Sequence, residues 1–465
     1  MSWRATATLL LTAWGALAFG AVYPWAFVPL FIGCVAVGAV ALLQRSGADR
    51  TDNTLALAVP LVLLVAAIGI QLIPISARTI QWISPETDLF LRRYEVGYAA
   101  LAQSHPLSIR PRATMLALSA TGALAVVFLG LVRTLDREDT LQIVRGVSAL
   151  GIVLALAGIV QHALWNGKIY GFWTPVQTGL SFGPFVNRNH FAGWMLMAMP
   201  LAGGYFCGRV ARGMRRVKPG WRNRLLWFSS TEASETIFVG VAVLLMALSV
   251  TLSTSRSGIL GLLAAVVISG WFIARRQITA SRRAIVTAYL VFVLLVVAGW
   301  GSIDRLAVRF ADDDTVTFGN RAGIWTDSWR IARQFPVAGT GLNTYGVSTL
   351  FYQTVDLEKH FTAAHSDYLQ LLAEGGVLVS VPALLVMLVL AWTVRRRFRE
   401  VANDTTDYWI RVGAVTGIVA IALQEIADFS LQIPANAMLL TVLLALAVRR
   451  PTSARRSGKG STSNA

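Results

Sequence analysis

Long apolar runs recur along the whole chain, separated by shorter polar segments. Crossing the hydrocarbon core of a bilayer takes about 20 apolar residues in a helix. Runs of this kind lie at residues 6–22, 25–43, 55–75, 115–132, 143–165, 191–208, 237–254, 258–273, 284–303, 376–393, 412–427 and 433–448. The pattern predicts an all-α, polytopic membrane protein with about twelve transmembrane helices.

Two segments between the apolar runs are long, residues 76–114 and residues 304–375. Long loops in a compact protein usually carry function. In the second loop, five residues at helical spacing fall on one face: Ile324, Trp325, Ser328, Trp329 and Ala332. This stripe predicts a helix at the membrane interface. We therefore expect one transmembrane domain over 1–448, with the long loop before helix 10, and a disordered basic cytoplasmic tail over 449–465.

The composition excludes an ordinary soluble globular domain. Hydrophobic residues make up 55% of the 465 residues, charged residues make up 14%, and the mean hydropathy is +0.59. These values are typical of a membrane protein. The two cysteines, Cys34 and Cys207, both fall within predicted spans, so the sequence predicts neither a disulfide framework nor a zinc site.

The positive charge is unevenly distributed between the two sides that the spans define. The segments that alternate with the N-terminal side hold 27 Lys and Arg against 10 Asp and Glu, whereas the other side holds 14 of each. Because Lys and Arg resist translocation, both termini are predicted to be cytoplasmic and both long loops to lie outside. The net charge of +17 then faces an anionic lipid leaflet, so nucleic-acid binding is not needed to explain it.

Three arginines fall on the predicted outer side at or near the ends of spans. Arg256 lies in the tight turn TSRSGIL, Arg321 in GNRAGIW, and Arg188 in GPFVNRNHFAG. One interpretation is that such arginines extend to lipid phosphates at the interface. The other is that they bind a lipid-linked phosphate, because a guanidinium donates two parallel hydrogen bonds to such an anion.

A histidine with acidic neighbours follows the long loop. His365 stands in AAHSDYLQLLAEGG, where Asp367 and Glu374 could orient or assist it. A lone histidine is often a hydrogen-bonded structural residue, but neutral imidazole can also accept a proton from an attacking hydroxyl. Near the C-terminus, Glu425 and Asp428 lie at the outer end of a span, where either a role in the site or a proton path is open.

The acidic run Asp312–Asp314 offers oxygen ligands of the kind that divalent cations prefer. A solvated acidic loop explains the same run without a metal. The sequence does not decide between the two.

Several motifs in a fixed order resemble those of the O-antigen ligase and polysaccharide polymerase family of bacterial inner membranes. They are NRNHFAG (187–193), TSRSG (254–258), GNRAGIWTDSWRIARQFPVAGTGLNTYG (319–346) and HSDYLQLLAEGG (365–376). The resemblance extends over about residues 184–429 and includes the long loop before the tenth helix. One departure is Ser366, since many members have Asn after the motif histidine.

The resemblance implies a function in lipopolysaccharide or exopolysaccharide biosynthesis. Such proteins take a glycan from undecaprenyl pyrophosphate at the periplasmic side and transfer it to a sugar hydroxyl, with no metal and no cofactor. In ligases the acceptor is a lipid A core sugar, and in polymerases it is another lipid-linked glycan. Carried over by motif, Arg256, Arg321 and Arg188 bind pyrophosphate or substrate, and His365 is the catalytic base.

A transporter or lipid flippase is the rival class. Transporters usually contain inverted repeats and paired broken helices near the midplane, and the sequence presents neither clearly. Placement distinguishes the two classes: an enzyme gathers its polar residues at one face, whereas a carrier distributes them across the bilayer.

Overall fold

The computed structural model describes residues 2–44, 48–101, 104–175, 181–213, 217, 220–275, 287–288, 290–291, 314–355, 357–400 and 405–450. The described helices are α1 (Trp3–Leu17), α2 (Pro24–Leu43), α3 (Ala48–Ile70), α4 (Ala77–Ile83), α5 (Pro85–Tyr94), α6 (Tyr98–Leu101), α7 (Pro111–Thr134), α8 (Arg137–Ala163), α9 (Arg188–Gly213), α10 (Trp221–Phe228), α11 (Thr231–Leu252), α12 (Arg256–Arg275), α13 (Asp314–Gln334), α14 (Tyr345–Tyr352), α15 (Asp367–Glu400), α16 (Thr405–Gln424) and α17 (Pro434–Val448). Single 3-10 turns lie at Phe19–Ala21 and Ser430–Gln432.

The described part of the chain is a predominantly helical, polytopic membrane protein. Seven of its helices are long and apolar enough to cross a membrane, and α3 and α17 contain shorter apolar stretches. Of the predicted spans, 284–303 lies outside the described residues except for 287–288 and 290–291. Asp312 and Asp313 and the tail from residue 451 onward also lie outside them, so the acidic run and the disordered tail stay predictions.

Two predicted span ends lie too far along the chain. The first span does not reach Val22, because α1 ends at Leu17, and the third span does not reach Ile75. Helix α3 ends at Ile70, and Pro74 removes a helical N–H and restricts the residue before it. Ile75–Ser76 instead forms strand β1, which pairs antiparallel with β2 (Ser104–His105). Among the described residues, this pairing is the one sheet, and the other regular elements are helices.

Helix α9 lies at the centre of the bundle and is buried on nearly every face from His190 to Ala202. It packs against α16, α11, α8 and α12. The contact with α16 is the closest, since a Cβ atom added at Gly204 would lie 2.2 Å from the Trp409 carbonyl oxygen, and one at Gly413 would lie 2.4 Å from the Pro200 oxygen. Small residues allow two membrane helices this approach, which fixes the ends of α9 and α16 relative to each other.

The two long loops fold onto each other at one end of the bundle. We call their described residues over 71–110 and 321–366 the cap. Its larger apolar cluster joins Ile80, Phe90 and Leu91 of the first loop to Ala338 of the second. Backbone bonds also join them, since the Ile109 N–H donates to the Thr340 oxygen at 2.9 Å. The cap therefore has an apolar core of its own.

The predicted interfacial stripe of α13 is partly wrong. Ile324, Ser328, Ile331 and Phe335 form the buried face, and Phe335 belongs to a cluster inside the cap. Trp329 is 52% exposed. The spacing correctly indicates an amphipathic helix, but its buried side packs on the protein, and its placement at a membrane interface stays a prediction.

Helix α15 is broken at Gly376, whose φ and ψ are 54° and −160°. The break frees backbone groups, and the segment 336–341 pairs with them. The N–H groups of Thr340 and Gly341 donate to the oxygens of Ala373 and Glu374 at 3.0 and 2.9 Å. In return, Val377 and Leu378 donate to Pro336 and Val337 at 2.9 Å each. A broken membrane helix is stable where such partners satisfy its backbone.

Candidate functional site

The three predicted arginines lie at the end of the bundle that carries the cap. Arg188 begins α9, and its guanidinium donates to the Thr254 hydroxyl at 3.2 Å. Thr254 belongs to the turn between α11 and α12, and Arg256 is the first residue of α12. Arg321 lies on α13 and acts electrostatically on both His365 and Asp428. Folding therefore brings together three sequence-distant arginines with His365 and Asp428.

His365 is held by its backbone and its ring face, while one ring nitrogen is left unpaired. Its φ is +50°, a conformation that is strained for a non-glycine residue. Its carbonyl oxygen accepts a 3.4 Å hydrogen bond from Trp325, and its ring packs edge-to-face on Phe429 at 5.0 Å. Within the described part of the chain, Nδ1 is buried and has no hydrogen-bond partner.

Burial and the nearby Arg321 lower the pKa of His365 to about 4. Desolvation disfavours the charged imidazolium, and a neighbouring cation acts in the same direction. The imidazole is therefore neutral at physiological pH and can accept a proton.

Phe429 and His190 are residues that the sequence interpretation missed. Phe429 lies between the two histidines, with its ring 4.8 Å from that of His190. His190 is 6% exposed, and its Nε2 has no hydrogen-bond partner among the described residues. The available signal was that His190 lies inside the motif NRNHFAG and Phe429 directly follows Asp428, but neither spacing places the rings together.

Asp428 is tied to the turn that carries Arg256. The Ser257 hydroxyl donates to one carboxylate oxygen at 2.9 Å, and the Phe429 N–H donates to the other at 2.9 Å. Burial raises the pKa of Asp428, against the opposing effect of these hydrogen bonds and Arg321. Asp428 thus links α12 to the segment that carries Phe429.

Asp367 lies in the first turn of α15, beside Glu425 at the end of α16. The Asp367 N–H donates to the Glu425 carbonyl oxygen at 3.1 Å. The Asp367 carboxylate accepts a 2.7 Å hydrogen bond from the Gln432 side-chain amide. The carboxyl groups of Asp367 and Glu425 also lie within hydrogen-bonding reach of each other. Only Ser366 separates Asp367 from His365, so these bonds act close to the imidazole.

Glu374 lies on the same helix but orients a loop rather than His365. Its two carboxylate oxygens accept hydrogen bonds from the Asn343 and Tyr345 N–H groups at 3.0 and 2.7 Å. These donors belong to the start of α14, where Asn343 has a φ of +64°. Glu374 therefore stabilises the strained turn within VAGTGLNTYG (337–346).

A cavity of about 790 Å³ opens beside this group of residues. Apolar side chains of α2 and α7 form one wall, among them Phe27, Phe31 and Leu124. The lining also includes the polar side chains of Asp367 and Gln370, and Phe429, whose ring contacts that of His365. A cavity with a mostly apolar lining and a few polar groups suits an amphipathic substrate.

A comparison with known families agrees with the motifs. Residues 241–383 match the O-antigen ligase family model. The resemblance drawn from the sequence motifs is confirmed. A search of curated proteins finds no match.

The segment matched to the O-antigen ligase family contains Arg256, Arg321 and His365, together with Asp367 and Glu374. Arg188, His190, Glu425 and Asp428 lie outside it, and folding alone brings them to the same place. Across the described residues, no group of three or more His, Cys, Asp or Glu side chains is arranged to hold a metal ion. Metal independence of the reaction stays a prediction.

Proposed function

We propose that this protein transfers a glycan from undecaprenyl pyrophosphate to a sugar hydroxyl on the periplasmic side of a bacterial inner membrane, as an O-antigen ligase does. The observation that carries the proposal is His365, a neutral imidazole with an unpaired Nδ1 in a strained loop beside Arg321. The matched family segment, which includes both residues, supports the same reaction class.

The reaction needs one base and a stabilised leaving group. The acceptor hydroxyl oxygen attacks the anomeric carbon, and its proton passes to Nδ1 of His365. The bond between that carbon and the phosphate oxygen breaks, and its electron pair leaves with the lipid pyrophosphate. Direct attack inverts the anomeric centre. Arg256, Arg321 and Arg188 stabilise the charge that develops on the departing oxygen.

The low pKa of His365 suits this sequence of events. Before the donor binds, Arg321 and burial keep the ring neutral, so it is ready to accept a proton. The pyrophosphate then brings negative charge close to the ring, which favours the imidazolium and raises its pKa. Donor binding thus makes His365 a stronger base at the moment when the base is needed.

The arrangement of charge favours an enzyme over a carrier. Arg188 and His190 lie at one end of α9, and the next charged residue along this helix is Arg209. Between them the helix is apolar and largely buried against the core. A carrier is expected to line a continuous path with polar groups, which the centre of this bundle does not offer within its described residues.

A polysaccharide polymerase of the same family remains the second candidate. Both reactions use the same donor and the same base, so the acceptor alone separates them. The cavity beside Asp367 would accept either a lipid A core sugar or the end of a second lipid-linked glycan.

The deciding experiment is transfer of a glycan from purified undecaprenyl pyrophosphate to lipid A core, in detergent with EDTA present. We expect the wild type to form product and His365→Gln to form none, while both proteins elute identically on size exclusion. His360→Ala is the matched control, since His360 lies in the same loop and its Nε2 forms a 2.6 Å hydrogen bond with the Gly346 oxygen. Full activity of His365→Gln would exclude the base role.

A second arm supplies lipid-linked glycans without lipid A core. Chain lengthening in this arm, with no transfer to core, would identify a polymerase. No product in either arm, with intact folded protein, would favour the transporter.

A further inference from the structure

Glu425 is buried without a donor for its carboxyl group. It is 1% exposed, and neither of its carboxyl oxygens accepts a hydrogen bond from any donor that the structure describes. The Leu431 N–H faces the group but does not reach hydrogen-bonding geometry. A buried ionised carboxylate without donors is costly, so it must either gain a partner or carry a proton.

The partner is another acid. Asp367 lies within hydrogen-bonding reach, and two ionised carboxylates at that separation repel each other. One proton shared between them turns repulsion into a hydrogen bond. Asp367 already accepts a 2.7 Å hydrogen bond from the Gln432 amide, and this bond stabilises the ionised form of Asp367. Glu425 has no such donor among the described residues. The proton therefore belongs on Glu425.

We propose that Glu425 is a positioning residue that stays protonated and donates a hydrogen bond to the Asp367 carboxylate, fixing the His365 segment against the end of α16. The proposal rests on the base role of His365 proposed above.

The geometry explains why this bond matters for the imidazole. The ring of His365 contacts Phe429, four residues after Glu425, and its backbone is strained two residues before Asp367. The Asp367–Glu425 pair therefore connects the two chain segments that hold the ring. The carboxyl pair acts together with the 3.1 Å hydrogen bond from the Asp367 N–H to the backbone carbonyl oxygen of Glu425. Without the carboxyl bond, the strained loop loses the side-chain connection nearest to His365, and the more distant bond from the Tyr368 hydroxyl to the Ala422 oxygen at 2.8 Å remains.

The first test compares Glu425→Gln with Glu425→Ala in the transfer assay. The glutamine amide still donates to Asp367, so Glu425→Gln is expected to stay within about threefold of the wild-type kcat. Glu425→Ala is expected to lose about ten- to a hundredfold in kcat with little change in the donor KM, because the base is misplaced while the arginines remain. Equal losses in the two variants would overturn the proposal.

Glu374→Gln is the matched control, because it makes the same change at another buried glutamate. Both oxygens of Glu374 accept backbone N–H groups, so an amide there must turn a donor toward a donor. It is expected to lose thermal stability, unlike Glu425→Gln. A stable Glu374→Gln would remove the contrast on which the assignment of the proton depends.

The pH dependence of kcat tests whether the proton on Glu425 matters, because a purely structural role of this side chain would not change it. Burial, then the charges of Asp367 and Asp428, raise the pKa of Glu425, so its bond to Asp367 is present below that pKa and lost above it. Tyr368 also faces the pair and is affected by both acids. The wild-type kcat is expected to fall at alkaline pH and that of Glu425→Gln to fall less, since an amide does not ionise. An identical alkaline fall in both would contradict the proposal.

Infrared difference spectra test the proton without any substrate. At neutral pH, the C=O stretch of protonated carboxylic acid is expected in the wild type and to lose intensity in Glu425→Gln, because that change removes one protonated carboxyl group. This measurement stands even if the wild type transfers no glycan, so failure of the proposed reaction and failure of the shared proton are distinguishable. No band lost on substitution would overturn the shared proton.

Discussion

Two features of His365 act on its pKa in the same direction, namely burial and the charge of Arg321. The acid limb of kcat/KM reports the pKa of the essential base in the free enzyme. Because the neutral form is the active one and its pKa is lowered, activity should persist well below the usual histidine range. We expect the acid limb of a transfer profile near pH 4.

Replacing Arg321 with Met tests the cause of that shift. Loss of the cation should slow transfer and move the remaining acid limb toward higher pH, because one of the two lowering effects disappears. The test needs only the pH at which activity falls, so an Arg321→Met variant with low activity is still informative. An acid limb that stays in place would show that Arg321 does not set the pKa of His365.

Gly339 is a second residue whose role is set by its immediate contacts. Its φ is +64°, and a Cβ atom there would lie 2.2 Å from the Glu374 carbonyl oxygen. Gly339→Ala should therefore strain the backbone and open the pairing with α15, at a cost of about 2–4 kcal/mol in unfolding free energy. Thermal unfolding in detergent measures the loss.

Gly122→Ala is the control for this change. Gly122 lies within α7, and a Cβ atom there meets nothing within 4 Å. Alanine in a helix is more favourable than glycine, so this variant should be neutral or slightly more stable. Similar melting of both variants would mean that the segment 336–341 is not held as tightly as its contacts indicate.

Between elements, Gln71 connects the end of α3 to two other segments. It is fully buried, and its amide donates to the oxygens of Ala338 and Glu374 at 2.6 and 2.9 Å. The side-chain oxygen of Gln71 accepts a 3.1 Å hydrogen bond from the Leu342 N–H. Gln71→Leu removes all three bonds and takes these partners from the Ala338 oxygen and the Leu342 N–H, whereas the Glu374 oxygen keeps the Gly341 N–H. It should destabilise the cap by about 2–5 kcal/mol. Limited proteolysis of the two long loops measures this.

The matched change is Gln81→Leu, since Gln81 is exposed in the same cap. It should leave the proteolysis pattern unchanged. If Gln71→Leu also left the pattern unchanged, the hydrogen bonds through Gln71 would not be what holds the loops together.

At the scale of secondary-structure elements, sequence periodicity predicts where helices lie but not which segments they pair with. Apolar runs locate α2, α7 and α12, because each such run must satisfy its own backbone within the membrane. The pairing of 336–341 with the broken α15 is invisible to periodicity, since it joins residues of two elements through their backbones. Pro74 ends α3 early for a local reason, but the pairing of Ile75–Ser76 with Ser104–His105 again joins residues that are far apart in the chain.

The site was predicted in part for the same reason. Arg256, Arg321 and His365 stand in motifs, so their residue types and order suffice to single them out. His190 and Phe429 are an ordinary histidine and phenylalanine until the α9–α16 contact brings their rings together. The shared proton of Glu425 depends on the absence of nearby donors, which only a three-dimensional arrangement specifies.

For the molecule as a whole, the uneven distribution of Lys and Arg predicts that the cap lies outside and the loop after α15 inside. In a variant without Cys34 and Cys207, a cysteine placed at exposed Gln81 should react with an impermeant maleimide on intact spheroplasts. A cysteine at exposed Arg395 should react only after the membrane is opened. The reverse result would invert the topology and remove the periplasmic reaction from the proposal.

The order of segments along the chain determines when the broken helix α15 can fold during synthesis. Gln71 and the segment 336–341 both precede Gly376, so the groups that satisfy the break emerge from the ribosome before the break itself does. The gap in the helix can then be filled as soon as it forms, with no unpaired backbone waiting in lipid. Under the predicted topology, the two loops are therefore exported before α15 is completed, and the loop that carries His365 reaches its final shape only after the membrane helices before it are in place.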